Sequence, residues 1–264
     1  MSVPTRWGAD SVENLDTSTD GTTFANYVLN TYFAGAPHDQ IVWWGRYFDL
    51  GTDPAGVWDG DSEANALSNA VKGYANPSGG NAWIQPIGDP YLPNVGQNGT
   101  YTQGKNSGAY VCGNIAAHLS GKLKLPTSQV LYVYADFEYL TNQQFVDGWA
   151  NGVLTYGADY WAACYTAPGA ASEAFFEAAG TYSLAWTTQP EYVNSTYCAS
   201  PGPSWAADAI PGITTYVWQY AENGPGACGG YRSGFPCDLD QIYPNFAGPY
   251  GNGMCDYMLG IPHG

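Results

Sequence analysis

The chain has 264 residues, with 23 acidic and 7 basic side chains and a formal net charge of −16. So acidic a surface repels phosphate backbones and anionic bilayers, which argues against nucleic acid or a membrane surface as partner. Hydrophobic residues at 45% against charged residues at 11% exclude a disordered chain, and no apolar run reaches the ~18 residues of a membrane-spanning helix.

In chain order, Trp7–Asp10 reads as a weak first strand, and Ile41–Phe48, β-branched and aromatic, as a buried one. Asp61–Tyr74 has Ala64, Leu67 and Val71 at helical spacing with Gly73 near its end, so it is a helix. Ala82–Ile87 is a third strand, followed by a Gly-, Pro- and Asn-rich loop from Gly88 to Gly104. Ser107–Leu123 carries Ile115, Leu119 and Leu123 at helical spacing, and Val130–Phe137 is the clearest strand of the chain. A helix over Thr141–Tyr156, capped by Thr141, leads to a strand at Tyr160–Tyr165. A short helix over Ser172–Ala179, capped by Ser172, precedes strands at Ser183–Trp186, Thr214–Tyr220 and Asp238–Tyr243. Helices thin out after Ala179, where Gly, Pro and Cys are dense. Strands alternating with helices predict an α/β fold with a parallel sheet, and eight strands predict a closed TIM-like barrel. No linker or internal repeat interrupts it, so residues 1–264 are expected to form a single domain.

Two motif-like stretches carry no chemistry. Gly99 to Lys105 has the G-x-x-x-x-G-K skeleton of a phosphate loop, but Asn106 stands where a Ser or Thr is needed and no strand precedes it. Gly202-Pro203-Ser204-Trp205-Ala206 half-matches a nucleophile elbow, again with no strand before it. Six cysteines (Cys112, Cys164, Cys198, Cys228, Cys237 and Cys255) and three isolated histidines (His38, His118 and His263) offer no zinc spacing. The even count predicts three disulfides, with Cys228–Cys237 closing a short loop, and an oxidising compartment. The sequons at Asn98 and Asn194 are compatible with that; Met1–Trp7 has no apolar leader, so either a leader has been cut from a secreted protein, the reading the cysteines favour, or the protein is intracellular.

The run Leu131 to Glu138 ends in Asp136-Phe137-Glu138. Strand alternation puts Asp136 and Glu138 on one face, with Cα atoms roughly 6.5–7 Å apart. Two acids that close repel, which raises the pKa of one of them. A protonated acid beside an ionised one is what glycosidic cleavage requires. Asp10 ends the first strand and Asp238 opens the last, so the four acids are expected to converge at one end of the barrel. Arg46, on the second strand, either enters the same cavity or pairs with one of these acids. The 22 Tyr and 10 Trp suit sugar rings, although most belong to the core. Trp186 and Trp218, at late strand ends, are the candidates for lining the cleft.

Taken together, Gly8-Ala9-Asp10-Ser11, Asp136-Phe137-Glu138, Trp218-Gln219-Tyr220 and Asp238-Leu239-Asp240 resemble, in order, the strand motifs of glycoside hydrolase family 25 lysozymes. Trp44-Gly45-Arg46-Tyr47 departs from that family and looks more like its "glycoside-hydrolase-like" relatives. The resemblance implies an irregular barrel of about eight strands and five helices, and hydrolysis of a cell-wall glycan of the peptidoglycan type. It implies Glu138 as general acid and Asp136 as nucleophile or as the base that orients a substrate acetamido group. Asp10 and Asp238 complete the acidic floor, and Tyr220 joins Arg46, Trp186 and Trp218 in holding the sugar. The enzyme is expected to be a secreted monomer without cofactor or metal. The competing functions are a non-catalytic glycan-binding barrel and a disulfide-stapled surface protein.

Overall fold

Apolar side chains occur on both faces of most strands, so each strand has two surfaces to bury. In the computed structural model, which describes residues 7–19, 22–26, 41–49, 57–72, 82–89, 99–137, 142–170, 172–192, 204–221, 237–250 and 252–261, a closed eight-stranded barrel does so. The elements are β1 (Trp7–Asp10), a hairpin of β2 (Ser18–Thr19) and β3 (Thr22–Thr23), one turn α1 (Phe24–Asn26), β4 (Ile41–Asp49) and α2 (Asp61–Lys72). There follow β5 (Ala82–Gly88), α3 (Tyr101–His118), β6 (Leu131–Asp136), α4 (Gln143–Tyr156), β7 (Tyr160–Thr166) and α5 (Glu173–Ala179). The chain continues through β8 (Leu184–Tyr192), β9 (Thr214–Ala221), β10 (Asp238–Ile242), a 3₁₀ turn at Gly253–Tyr257 and β11 (Leu259–Ile261).

Around the barrel the order is β5-β4-β1-β10-β9-β8-β7-β6, and β6 returns to β5 through Ile87–Tyr134 and Gly88–Ala135. β11 adds antiparallel to the first half of β5. The mixed α/β barrel with five helices agrees with the expected fold, except that the sheet is not wholly parallel: β10 runs antiparallel to β1 and β9. A parallel return needs a crossover, usually helical, and the Gly- and Pro-rich sequence of residues 222–236 has no helical pattern. The reversal matters for the site, because it brings the start of β10 to the end of the barrel where β1 and β6 finish.

The two strand faces fill two cores. Outward residues such as Trp44, Phe48, Ile84, Val133, Phe137, Cys164 and Trp218 pack under the helices. Inward residues Trp43, Tyr47, Ile87, Tyr134, Tyr165, Trp186 and Val217 fill the barrel. Two glycines make room for these rings: a Cβ on Gly8 would lie 2.0 Å from the Trp43 ring, and one on Gly45 would lie 2.5 Å from Trp186. Met254, Cys255 and Met258, from the segment before β11, close the opposite end. The buried Asp256 carboxylate ties that segment down, accepting from the backbone N–H of Tyr250 and Asn252 and from the Asn252 side chain.

Several boundaries differ from expectation. α3 starts at Tyr101, inside the predicted loop, because Thr100 and Gln103 form a reciprocal capping box. The Gly99–Lys105 stretch therefore runs into a helix, where Gly104 packs against α4. Asn142 caps α4, while Thr141 lies outside the described residues. Ser172 precedes α5 without capping it, its hydroxyl being engaged by Thr166 at 2.8 Å. Cys112 and Cys164 are buried free thiols, so the three-disulfide framework does not hold. Cys198 and Cys228, and with them the Cys228–Cys237 pairing, lie outside the described residues.

Candidate active site

Parity along each strand decides which side chains enter the barrel. In β1 and β10, Ala9 and Leu239 face the helices, so Asp10, Asp238 and Asp240 face inward. In β6, Ala135 and, just beyond the strand, Phe137 face outward, which turns Asp136 in. Register brings these acids to one end: Asp10 is directly opposite Asp238, and Asp136 is paired with Tyr165 of β7. Phe137 anchors the end of β6 from outside, stacked on Phe176 at 5.7 Å and edge-on to Trp149.

Neutral donors interleave the acids. The Tyr47 hydroxyl donates to Asp136 Oδ2 at 3.0 Å. The Tyr165 hydroxyl lies 3.3 Å from Asp10 Oδ2 and 3.2 Å from Gln219 Oε1, and its single proton serves one of them at a time. Gln219 in turn donates through Nε2 to Asp238 Oδ2. Burial, and then the charges of Asp136 and Asp10, push the Tyr47 phenol well above its ordinary pKa; burial and Asp10 do the same for Tyr165. Both hydroxyls therefore remain donors throughout the physiological range. Asp89, just past β5, adds negative potential at the same end.

Depth is graded. Asp136 and Asp238 are partly exposed, Asp10, Tyr47, Tyr165 and Gln219 are buried around them, and Asp240 with Trp186 forms the floor. Trp186 donates its indole N–H to Asp240 Oδ1 at 3.0 Å and packs edge-on against Trp43, Tyr134 and Tyr165. Full burial, the negative charges of Asp10 and Asp238 and a hydrogen-bonding contact with Asp10 raise the Asp240 pKa well above the carboxylate range. Such an arrangement of partly exposed carboxylates, held by neutral donors over a buried floor, suits the stabilisation of positive charge developing on a ligand. Among the described residues, no group of three or more His, Cys, Asp or Glu side chains is arranged to hold a metal ion.

Of the residues expected at the site, Asp10, Asp136 and Asp238 are brought together. Glu138 lies outside the described residues. Arg46 is a correction. It points out of the barrel, fully buried, and its guanidinium bonds Glu63 of α2 through Nε (2.8 Å) and Nη2 (3.0 Å). It also donates to Ser11 O and Asn14 Oδ1. It therefore neither lines the cavity nor pairs with a site acid. Trp218 and Tyr220 are also corrected: both lie on the outer face of β9, buried against Trp205, Trp7 and each other. Trp186 does sit beneath the acids, but fully buried, as floor rather than as an exposed stacking face. Tyr47, Tyr165, Gln219 and Asp240 were not singled out from the sequence as site residues. Strand parity was the available signal, because Tyr47, Gln219 and Asp240 stand inside the Trp44–Tyr47, Trp218–Tyr220 and Asp238–Asp240 motifs, alternating with residues that face outward.

Among solved structures, the chain is similar to an uncharacterized B. stearothermophilus protein with a 1.07 Å crystal structure. The TM-score is 0.59 at 15% sequence identity, over 96% of this chain and 99% of that one. At that identity the likeness shows the fold alone. No protein-family model matches the chain, and no curated protein matches it.

Proposed function

We propose that this barrel is a glycoside hydrolase acting on a cell-wall or surface glycan, with the acid cluster at the strand ends as its catalytic centre. The observation that carries the reading is the convergence of Asp10, Asp136 and Asp238 from three strands, with Tyr47 donating to Asp136. Glycosidic cleavage passes through an oxocarbenium-like state, and a partly exposed carboxylate held in one orientation stabilises it. Asp136 fills that role. It is the nucleophile, or it orients a neighbouring acetamido group of the sugar. Glu138, two residues on in the sequence, is the proton donor to the leaving oxygen. Asp10 and Asp238 supply the negative field that favours the developing positive charge.

Arg46, Trp218 and Tyr220 have no part in sugar binding on this reading. The aromatic contribution comes instead from inward rings, of which Tyr47 is the one bonded to a reactive carboxylate. A secreted enzyme remains the setting that fits a cell-wall substrate, though the free thiols of Cys112 and Cys164 remove part of the cysteine argument for it.

The test is a screen of neutral and cell-wall glycans, peptidoglycan included, for reducing ends released by the wild-type protein. The reading predicts release from at least one of them. Binding of a glycan with no release from any would replace the enzyme with a glycan-binding barrel.

A further inference from the structure

The floor of the cluster holds one carboxyl that the proposed chemistry does not use. Asp240 lies across from Gly8 in the β1–β10 ladder and is fully buried. Its Oδ1 accepts the Trp186 indole N–H, but its Oδ2, equally shut off from solvent, meets no N–H or O–H donor among the described residues. What does face Asp240 is a second carboxyl, that of Asp10, which shares the inner face on the neighbouring strand two residues beyond Gly8 and acts on Asp240 through charge and hydrogen bonding. Two carboxylates in contact have no hydrogen between them; one must keep its proton.

The surroundings decide which. From β1 comes Asp10, from β10 itself Asp238, from β8 the Trp186 N–H, and from β7 Tyr165, whose hydroxyl faces Asp10 rather than Asp240. From β4, Tyr47 is bonded to Asp136. The principal charges acting on Asp240 are both negative, and Arg46 is turned to the other side of the sheet. Asp10 is nearer the mouth and has a phenol beside it; Asp240 has one indole N–H and no access to water. The charged form therefore costs more on Asp240.

We infer that Asp240 carries a proton at neutral pH and donates it from Oδ2 to Asp10, holding Asp10 ionised and in one orientation. Asp240 is thus a positioning residue that acts through Asp10, and its raised pKa agrees with the geometry. A protonated aspartic acid presents one donor and one acceptor, as the amide of asparagine does. The protonation is independent of the proposed function; only the consequence for turnover rests on it.

Because the folded-state pKa lies above the unfolded value of about 3.9, the unfolded chain loses this proton first as pH rises. The stability Asp240 contributes is therefore complete below about pH 4 and declines toward its folded pKa. D240N keeps the donor and removes the titration. Its melting temperature should gain on that of the wild type between pH 4 and 8, by roughly 2–4 °C or more at the upper end. The infrared spectrum of the wild type at pH 7 should contain an un-ionised carboxylic acid carbonyl band that stands out in the wild-type minus D240N difference, any band of a second acid such as Glu138 being common to both. If the wild type cleaves a glycan, D240A, which removes the donor to Asp10, should lower kcat by about tenfold or more, and D240N should recover most of that loss. Absence of the band from that difference, or a melting difference constant across pH, would overturn the protonation. A D240A rate equal to that of the wild type, or a more than about tenfold loss of rate in folded D240N, would overturn the positioning role. If the wild type cleaves nothing, the infrared and melting results still decide this inference, and only the functional reading fails.

Discussion

Arg46 and Asp10 sit on adjacent strands, yet one is structural and the other belongs to the site, and a one-residue step in parity makes the difference. Along β4, Trp43, Gly45 and Tyr47 enter the barrel while Trp44, Arg46 and Phe48 leave it. Aromatics on both faces made the sequence silent about which was inner, as expected for a strand buried on both sides. Gln219 was more legible: a lone polar residue between Trp218 and Tyr220 marks the face that meets other polar groups. Arg46 and Glu63 are a fully buried pair with their hydrogen-bonding groups well used: Glu63 also accepts from Leu15 N and Asp59 N. The pair fastens the segment after Asp10 to α2. R46A leaves the Glu63 carboxylate buried and unmatched, and should cost about 3–5 kcal/mol in urea or thermal unfolding. R46K, which cannot reproduce the fork, should also lower stability while leaving KM for any cleaved glycan unchanged. A raised KM in folded R46K would return Arg46 to the site.

At the scale of elements, α3 and α4 show how glycines set distance. Gly104 and Gly108 on α3 face Gly148 and Gly152 on α4. A Cβ at any of the four would come within 2.1–2.2 Å of a backbone oxygen of the other helix. Backbones in that contact cannot yield without separating the helices. G108A should therefore destabilise the protein by about 1–3 kcal/mol, as overpacking does. Gly113, on the same helix, is the control: its Cβ would meet only the Tyr156 hydroxyl, at 3.9 Å. G113A should stabilise by roughly 0.5–1 kcal/mol through helix propensity alone. Equal effects of the two substitutions on the urea midpoint would remove the close-packing account. The four-residue spacing of these glycines was visible in the sequence, but their partner helix was not. The start of α3 was legible in Thr100 and Gln103, a capping-box pair three residues apart. The sense of β10 was not legible, because five residues read alike in either direction.

For the molecule as a whole, all eight barrel strands were readable as short runs close to their observed places, although the first and last read only weakly and β8 runs on to Tyr192, well past the expected end at Trp186. Closure followed from their number. The acid cluster was readable in part, because Asp10, Asp136 and Asp238 each end or begin such a run. Of its neutral half, Gln219 was marked by local pattern, whereas Tyr47 and Tyr165 depend on which strands become neighbours, and local pattern does not encode that. The cysteine count misled for a related reason: Cys112 and Cys164 are core residues, used as small hydrophobes in the layer between barrel and helices.

The central claim is that the acids at the strand ends cleave a glycosidic bond, and the most direct measurement is turnover of a responsive glycan from pH 4 to 8. Wild type, D136N and E138Q are compared, with circular dichroism to show that each is folded. E138Q removes the proton donor and should lower kcat by roughly 10²–10⁴-fold. D136N removes the stabilising carboxylate and should lower it by about 10²–10³-fold or more. Rates in both variants equal to the wild type, at every pH and with the fold intact, would contradict the account.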